Sequence, residues 1–454
     1  LQQTMDSGES EFIAIYGRRR VGKTYLIREF FEKNIRFEMI GIYDASLNEQ
    51  LENFAESLGK FIGAGITQKV PKTWREAFQQ LENFISSTDS KKSKGKHVIF
   101  LDELPWLSTP RSKFIPALQH FWNSFCSKRK DIILVVCGSA ASWMIQNIVR
   151  SKGGLHNRLT RQIRLLPFNL SETKQYLHSR NMKSLDNYSM VQIYMAIGGV
   201  PYYLSKIEKG KSAVQVIDAL CFADSAPLRH EYEQLYRSLF NKSDQHMKIV
   251  ETLSKMRKGL TRNELLDKVG LKSGGTATQI IEELTESGFI EARTPFGKKA
   301  NDALYRLIDE FSLFHLYWIK PLGKTNPGAG YWMTRQSSPK YKTWSGYSFE
   351  SVCMKHIAEL KRALGISAIS TEESPWRYQP KNESGPSGAQ IDLLIDRADN
   401  AINLCEMKFY NAEFTIDAKY AKELRNKMSV FREQTGTRKT IFLTLITTFG
   451  VKEN

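Results

Sequence analysis

The chain has 454 residues, too many for a single hydrophobic core, so about three or four structural units are expected. Hydrophobic residues make up 41% of the sequence and charged residues 25%, and no apolar run approaches the roughly 20 residues that span a bilayer, which excludes proteins with transmembrane helices. The formal net charge of +17 favours polyanionic partners, nucleic acid before a membrane surface, although charge that only keeps the protein in solution is the alternative.

The five cysteines are scattered along the chain without a C-x-x-C pair: Cys126, Cys137, Cys221, Cys353 and Cys405. This pattern excludes a zinc site and a disulfide framework, and it is typical of core residues or free thiols in a reducing cytoplasm. No signal-peptide pattern opens the sequence at Leu1. Because the first strand pattern begins so close to this residue, we expect a short N-terminal segment to be missing.

The first elements in the chain are a strand, a glycine-rich loop and a helix. Residues 12–16 form an apolar run typical of a buried strand, and apolar residues recur at helical spacing in residues 24–31. Between them, residues 17–24 (GRRRVGKT) fit the pattern G-x-x-x-x-G-K-[ST]. Backbone N–H groups of such a loop surround phosphates at a helix N-terminus. A chance glycine turn is the alternative, and the flanking strand and helix argue against it.

The loop predicts a site for a nucleoside triphosphate, ATP, together with Mg²⁺. Lys23 would neutralise the β- and γ-phosphates, and the Thr24 hydroxyl would ligate Mg²⁺. The three arginine side chains occupy variable positions of the pattern and are assigned no chemistry of their own. The residues expected to contact the nucleotide are Gly17, Arg18, Arg19, Arg20, Val21, Gly22, Lys23, Thr24 and Tyr25.

Two further strand patterns end in polar residues. Residues 97–101 lead into Asp102 and Glu103, a Walker B signature in which Asp102 would hold Mg²⁺ through water and Glu103 would orient the attacking water. Residues 131–137 lead to Ser139. In P-loop ATPases with an additional strand, this strand separates the other two, and a polar residue at its tip contacts the γ-phosphate or the water. A helix cap is an equally open interpretation of Ser139.

These motifs resemble the prokaryotic "archaeal ATPase" family, which belongs to the AAA+/signal-transducing group of P-loop ATPases. The resemblance covers about residues 12–310 and rests on residues 17–24, 101–107 (LDELPWL), 138–144 (GSAASWM), 166–168 (LPF) and 198–204 (GGVPYYL). It implies an αβα ATPase core, a helical lid and a winged helix.

An arginine-bearing stretch, residues 157–164, resembles the segment before the last core strand of that family. Arg158 or Arg161 would then stabilise charge in the transition state, in the same subunit or in a neighbouring one. A basic surface loop is an equally open interpretation. The resemblance therefore also allows a homo-oligomer.

Residues 243–311 predict a helix, a helix-turn-helix and a β-wing. Thr261 and Glu264 form a capping box, and the next helix is predicted to end at Gly288. Three glutamates on the exposed side of that helix would be repelled by phosphates, although Arg293, Lys298 and Lys299 of the wing could still touch a nucleic-acid backbone. We favour an intramolecular or protein-contact role over DNA reading.

The C-terminal end predicts a charged hairpin. Residues 389–396 carry Asp392, and residues 401–408 carry Glu406 and Lys408 on one face at a spacing of two. This pattern resembles the core of the PD-(D/E)xK nuclease fold, which implies that Asp392 and Glu406 bind Mg²⁺ and that Lys408 positions or activates water. Glu350, in the helical stretch 349–353, matches an additional acidic residue of that fold, so Glu350 is a third candidate metal ligand.

A solvated hairpin edge is the alternative for these charges. Apolar residues at 391, 393, 395 and 404 predict that both faces of the hairpin are covered, so ionised groups there would need partners or a metal. The resemblance spans about residues 346–450 and is to the uncharacterised domain commonly fused to these ATPases. Retained cleavage stays open, because nuclease-derived domains also serve as binding modules.

The sequence thus predicts an α/β protein in five segments: a P-loop αβα ATPase core (1–167), a helical lid (168–242), a winged helix (243–311), a connector (312–345) and an α/β nuclease-like domain (346–454). The leading hypothesis is a cytoplasmic, Mg²⁺-dependent ATPase whose nucleotide state controls a nuclease-like domain acting on DNA or RNA. The alternatives are a signalling or scaffold ATPase whose C-terminal domain binds a protein, and a winged-helix DNA-binding regulator.

Overall fold

The computed structural model describes the chain except for residues 64–67, 89–94, 151–154, 156, 241–242, 381–387 and 453–454. It divides into two compact units, Leu1–Leu166 with Ser238–Phe240, and Pro167–Arg237 with Asn241–Asn454. No helix among the described residues is both long and apolar enough to cross a membrane. All five cysteines are buried and free, as expected.

The first unit contains a parallel five-stranded sheet in the order β2-β3-β4-β1-β5. Its strands are β1 (Glu11–Tyr16), β2 (Ile35–Ile40), β3 (His97–Asp102), β4 (Ile132–Gly138) and β5 (Arg161–Arg164). As predicted, β4 lies between β1, which precedes the phosphate-binding loop, and β3, which carries the Walker B motif. The carboxyl ends of β1, β3 and β4 therefore meet at one edge of the sheet.

Both faces of this sheet are covered. Alternate residues of β1 point to opposite sides, so Phe12 and Ala14 join one apolar cluster while Ile13 and Ile15 join another. The helices of this part of the chain are α1 (Gln2–Met5), α2 (Lys23–Phe31), α3 (Leu47–Ile62), α4 (Trp74–Thr88), α5 (Leu104–Leu107), α6 (Phe114–Ser124) and α7 (Ala141–Met144). Burial on both faces explains the continuous apolar strands and confirms an α/β fold with a parallel sheet.

The chain continues after β5 as a series of helices: α8 (Leu170–Ser179), α9 (Asn187–Ile197), α10 (Pro201–Leu204), α11 (Ala213–Cys221) and α12 (Glu231–Leu239). Two glycines join α9 to α10. A Cβ atom on Gly199 would lie 1.8 Å from the carbonyl oxygen of Phe168, whose N–H donates to the Gly199 carbonyl at 2.8 Å. Only glycine permits this close approach of two backbone segments.

Three helices and an antiparallel hairpin follow: α13 (Ser243–Lys255), α14 (Arg262–Val269), α15 (Gly275–Glu286), β6 (Ile290–Arg293) and β7 (Leu304–Leu307). The Glu264 carboxylate accepts the N–H of Thr261 at 2.8 Å, and the Thr261 hydroxyl accepts the N–H of Glu264 at 3.4 Å, which forms the predicted capping box. Gly288 follows α15 with a φ of 75°, as expected of a glycine after a helix C-terminus.

Residues 312–345, which the sequence predicts to be a connector, contribute a cluster of buried aromatic side chains. Three tryptophans, Trp318, Trp332 and Trp344, are each only 1% exposed and contact one another edge to face. The α-helices in and after this range are α16 (Glu310–Phe314), α17 (Pro339–Lys355) and α18 (Ile357–Ala363), and short helical turns lie at His315–Ile319, Lys320–Leu322 and Met333–Arg335. The expected boundary at residue 345 falls inside α17, because aromatic burial continues through the start of that helix.

The C-terminal sheet has four strands in the order β11-β10-β9-β8. Its elements are β8 (Thr371–Tyr378), β9 (Ala389–Arg397), β10 (Ala401–Lys408), α19 (Ala418–Thr435) and β11 (Thr440–Thr447). The predicted hairpin is present, since β9 and β10 pair antiparallel, and α19 is the crossover that makes β11 parallel to β10. The four apolar residues that predicted two covered faces are each at most 1% exposed: Ile391, Leu393, Ile395 and Leu404.

The loop of the β6–β7 hairpin packs against this sheet. Phe296 contacts the apolar cluster of the C-terminal sheet, with its ring centroid 5.6 Å from that of Phe431. Its N–H donates to the Pro375 carbonyl at 3.0 Å. The hairpin loop thus completes a core formed by β8, β9, β10 and α19.

We expect Phe296→Ala to lower the hydrogen-exchange protection of β8 and β9. A half-buried phenylalanine contributes about 1–2 kcal/mol, so the protection should fall by roughly 5–30-fold. The exposed Lys298 in the same loop provides the control, and Lys298→Ala should leave exchange unchanged. Equal protection in Phe296→Ala and the wild type would contradict a stabilising role for the loop.

Candidate functional site

The phosphate-binding loop turns through left-handed backbone positions between β1 and α2. Gly17, Arg20 and Gly22 have φ values of 156°, 73° and 89°. A Cβ atom on Gly17 would lie 2.1 Å from the carbonyl oxygen of Leu165, so glycine is required there. The loop therefore leads directly into the N-terminus of α2 at Lys23.

Lys23 is held at the centre of the loop. Its Nζ donates to the carbonyls of Gly17 at 2.9 Å and Arg18 at 3.1 Å, and to the Ser139 hydroxyl at 3.1 Å. The side chain is 5% exposed. These contacts fix a positive charge among backbone groups that a phosphate would face.

Thr24 and Asp102 form the oxygen pair expected of a magnesium site. The Thr24 hydroxyl donates to Oδ2 of Asp102 at 2.5 Å, and Oδ1 accepts the N–H of Glu103 at 2.8 Å. Hydroxyl and carboxylate oxygens are the ligands Mg²⁺ prefers, and in phosphate sites it takes its remaining ligands from phosphates and water. The residues present therefore fit this ion.

Ser139 links the two halves of this site. Its N–H donates to Oε2 of Glu103 at 3.1 Å, its hydroxyl donates to Oε1, and the same hydroxyl accepts from Lys23. Glu103 adopts a left-handed conformation with a φ of 47°, which costs about 1–3 kcal/mol for a residue other than glycine. Its side chain is thereby turned toward the tip of β4.

The predicted arginine Arg158 lies apart from these contacts. Its side chain is exposed and makes no hydrogen bond or ion pair within the described residues. Arg161, on the edge strand β5, contacts Gln3 at 3.5 Å. Arg18, to which the sequence assigned no chemistry, is only 2% exposed. Arg18 occupies a variable position of the loop pattern, which predicts contact with the nucleotide but not the burial of this side chain.

The C-terminal charges gather around one cavity. Glu350 of α17, Asp392 of β9 and Arg306 of β7 line it, together with Glu291 and Met354. Burial, and after it the charge of the Asp392 carboxylate, raises the pKa of Glu350 to about 8. Arg306 and Lys408 oppose this rise in pKa, and Glu406 adds to it. The predicted residues Glu350, Asp392, Glu406 and Lys408 thus share one electrostatic environment.

Glu406 is held by two residues that the sequence did not predict. Its carboxylate, 2% exposed, accepts from Lys427 Nζ at 2.5 Å and from the Tyr420 hydroxyl at 3.3 Å. Lys408 Nζ lies 4.9 Å from the centre of the Tyr420 ring. Tyr420 and Lys427 stand seven residues apart, two turns of α19, and this i, i+7 spacing is the signal that could have placed them on one face.

These contacts change the predicted metal set. The described part of the chain contains no group of three or more His, Cys, Asp or Glu residues arranged to hold a metal. Glu350, Asp392 and Glu406 therefore do not form one such group, and Lys427 pairs with the carboxylate of Glu406. Metal binding by Asp392 and Glu406 stays a prediction.

Residues 1–207 match the family model of an ATPase domain predominantly from Archaea. This range includes the parallel sheet, the phosphate-binding loop and the Glu103–Ser139 pair. The protein therefore contains an ATPase domain, which binds a nucleotide and hydrolyses it.

The similarity to other proteins covers more of the chain than residues 1–207. The chain is 24% identical to the uncharacterized protein MJECL04 of Methanocaldococcus jannaschii over 401 residues, 87% of this chain and 81% of that protein. The Walker-type ATPase PABY2304 of Pyrococcus abyssi has a TM-score of 0.44 at 16% identity, covering 67% of this chain and 90% of its own. The ORC2 protein of Aeropyrum pernix, in ADPNP-ADP complexes, has a TM-score of 0.40 at 15% identity, covering 69% and 89%.

We expect Glu103→Gln to lower the rate of ATP hydrolysis by about 10²–10⁴-fold while ATP still binds, because the amide cannot take a proton from the attacking water. Lys23→Ala should abolish hydrolysis. Phosphate release and titration with a fluorescent ATP analogue measure the two properties. Glu29→Gln, the same change at an exposed position of α2, should leave both unchanged. Normal turnover in Glu103→Gln would contradict the role of this carboxylate.

Proposed function

We propose that the protein is an Mg²⁺-dependent ATPase whose nucleotide state controls a C-terminal nuclease-like domain that binds nucleic acid. The second half of this proposal is supported by Glu350 and Asp392, which line one cavity, and by Glu406 and Lys408 on the neighbouring strand β10. Charged side chains are costly to bury, so a cluster of them in a covered sheet indicates a functional site.

In the ATPase domain each residue has a distinct task. Thr24 and Asp102 would hold Mg²⁺, which neutralises charge on the phosphates when bound. Lys23 stabilises the charge that develops on the transferred phosphoryl group, and Glu103 orients the attacking water and accepts its proton. The Ser139 hydroxyl holds the side chains of Glu103 and Lys23 close together, because it donates a hydrogen bond to Glu103 and accepts one from Lys23. Arg158 would act only if a nearby loop or a second subunit brought it to the nucleotide.

The C-terminal domain is proposed to be of the PD-(D/E)xK type. In support, α17 precedes three antiparallel strands, and α19 crosses to a fourth strand parallel to β10. Asp392 and, once freed from Lys427, Glu406 would hold Mg²⁺, which polarises a phosphate when bound. Lys408 would position the hydrolytic water.

Residues 243–311 are proposed to be a winged helix that acts within the molecule. The wing arginine Arg293 is bound to Glu291 at 2.8 Å and donates to the Met354 carbonyl at 3.1 Å, so it is engaged by α17. Phe296 packs into the C-terminal core, and Arg306 faces Glu350. A hairpin committed to these contacts favours transmission of movement to the nuclease-like domain over reading of DNA.

One observation favours a second candidate, a signalling or scaffold ATPase whose nuclease-like domain binds a protein. The Lys427–Glu406 ion pair occupies a carboxylate that cleavage would need. An inert domain would keep this pair permanently, whereas a nuclease would open it when metal and substrate bind.

We expect the wild type to nick nucleic acid in the presence of Mg²⁺ or Mn²⁺, and Asp392→Ala and Lys408→Ala to lose nicking by about 10²-fold or more, because each removes a group that acts on the reacting phosphate or water. Conversion of supercoiled plasmid and release from labelled single strands of DNA and RNA measure this. Asp399→Ala, on the exposed turn between β9 and β10, is the matched control and should retain nicking. If the wild type cleaves no single- or double-stranded substrate, the domain is a binding module without nuclease activity.

A further inference from the structure

The charges of the C-terminal segment are strongly separated. Residues 346–454 contain 15 lysines and arginines and 14 aspartates and glutamates, so the segment is nearly neutral. Residues 418–439 alone contain seven of these basic residues and only two of the acidic ones. Basic charge is therefore concentrated on α19 and the turn that follows it, while the rest of the segment is acidic.

The basic residues of α19 that face the solvent form one surface, the basic ridge, consisting of Lys419, Lys422, Arg425 and Arg432. Their spacings of three, three and seven residues place them on one side of the helix. All four are exposed, and none makes a side-chain hydrogen bond or an ion pair within the described residues. With a rise of about 1.5 Å per residue, the ridge extends for about 20 Å.

The opposite side of α19 connects the ridge to the charged site. Leu424 and Phe431 are at most 3% exposed and anchor the helix on the sheet. Tyr420 and Lys427 contact Glu406 directly. The ridge and the residues that contact Glu406 therefore lie on opposite sides of one helix.

The composition of the ridge suits phosphates better than a protein partner. Protein interfaces have a core of aromatic and other apolar residues, whereas backbone contacts to nucleic acid come from cations and small polar groups. No large apolar side chain of α19 is exposed, and the other exposed residues of the helix are small or polar, including Ser429, Glu423 and Glu433. Long, unpaired cations in a row can each reach a separate phosphate.

We infer that the basic ridge of α19 binds the sugar-phosphate backbone of a nucleic-acid strand. This inference rests on the proposed nuclease-like function and adds to it the binding surface and its mode. Because backbone contacts carry no base information, the ridge supplies affinity without sequence preference.

The test is the salt dependence of binding by the full chain. Affinities for labelled duplex DNA, single-stranded DNA and RNA are measured over a range of KCl concentrations. The triple variant Lys419→Gln, Lys422→Gln, Arg425→Gln removes three phosphate contacts, so the slope of log affinity against log salt should become shallower by about 2–3. Unchanged circular dichroism and ATP hydrolysis show that the variant is folded.

The matched control is Lys183→Gln, Lys209→Gln, Lys324→Gln, which removes three exposed lysines outside the C-terminal sheet and should keep the wild-type slope. An unchanged slope in the ridge variant, or an equal loss in the control, would overturn the inference while leaving the proposed function in place. A wild type without salt-dependent affinity for any of the three nucleic acids would overturn both.

Discussion

The ATPase site depends on the position of β4 between β1 and β3. Because the three strands are parallel and adjacent, Lys23, Ser139 and Glu103 arrive at one edge of the sheet, although Ser139 is 116 residues from Lys23 and 36 from Glu103. The burial of every residue of β4 fixes the position of Ser139, which directly follows the strand. The hydroxyl can then accept from the ammonium group and donate to the carboxylate at the same time. The sheet order, rather than the loop alone, turns a phosphate-binding motif into a hydrolytic arrangement.

The C-terminal site is governed by a different constraint, the cost of burying a carboxylate. Glu406 is almost inaccessible, so an ionised form without a partner would be strongly destabilising. Lys427 and Tyr420 supply that partner from α19. The ion pair with Lys427 therefore accounts for the burial of the Glu406 carboxylate.

Sequence patterns could predict the parts of both sites that lie in one element. The loop, the Walker B strand and the β9–β10 hairpin each carry their chemistry within a few residues, so local spacing was sufficient. Lys427, Tyr420 and Phe296 were missed because their partners lie in other elements, and their positions follow from how α19 and the hairpin loop pack. The boundary expected at residue 345 falls inside α17, because Trp332 and Trp344 belong to a buried cluster that the turn-forming residues of 312–345 do not indicate.

The β6–β7 hairpin contacts the C-terminal segment at several points. Its loop contributes Phe296 to the core, Arg293 binds the backbone of α17, and Arg306 acts on the charge of Glu350. A shift of this hairpin would therefore change packing and electrostatics at the charged site together. Packed interfaces move between discrete arrangements rather than deforming gradually, because side chains interlock at high density. A small displacement of the hairpin would thus be transmitted as a switch in the environment of Glu350 and Asp392.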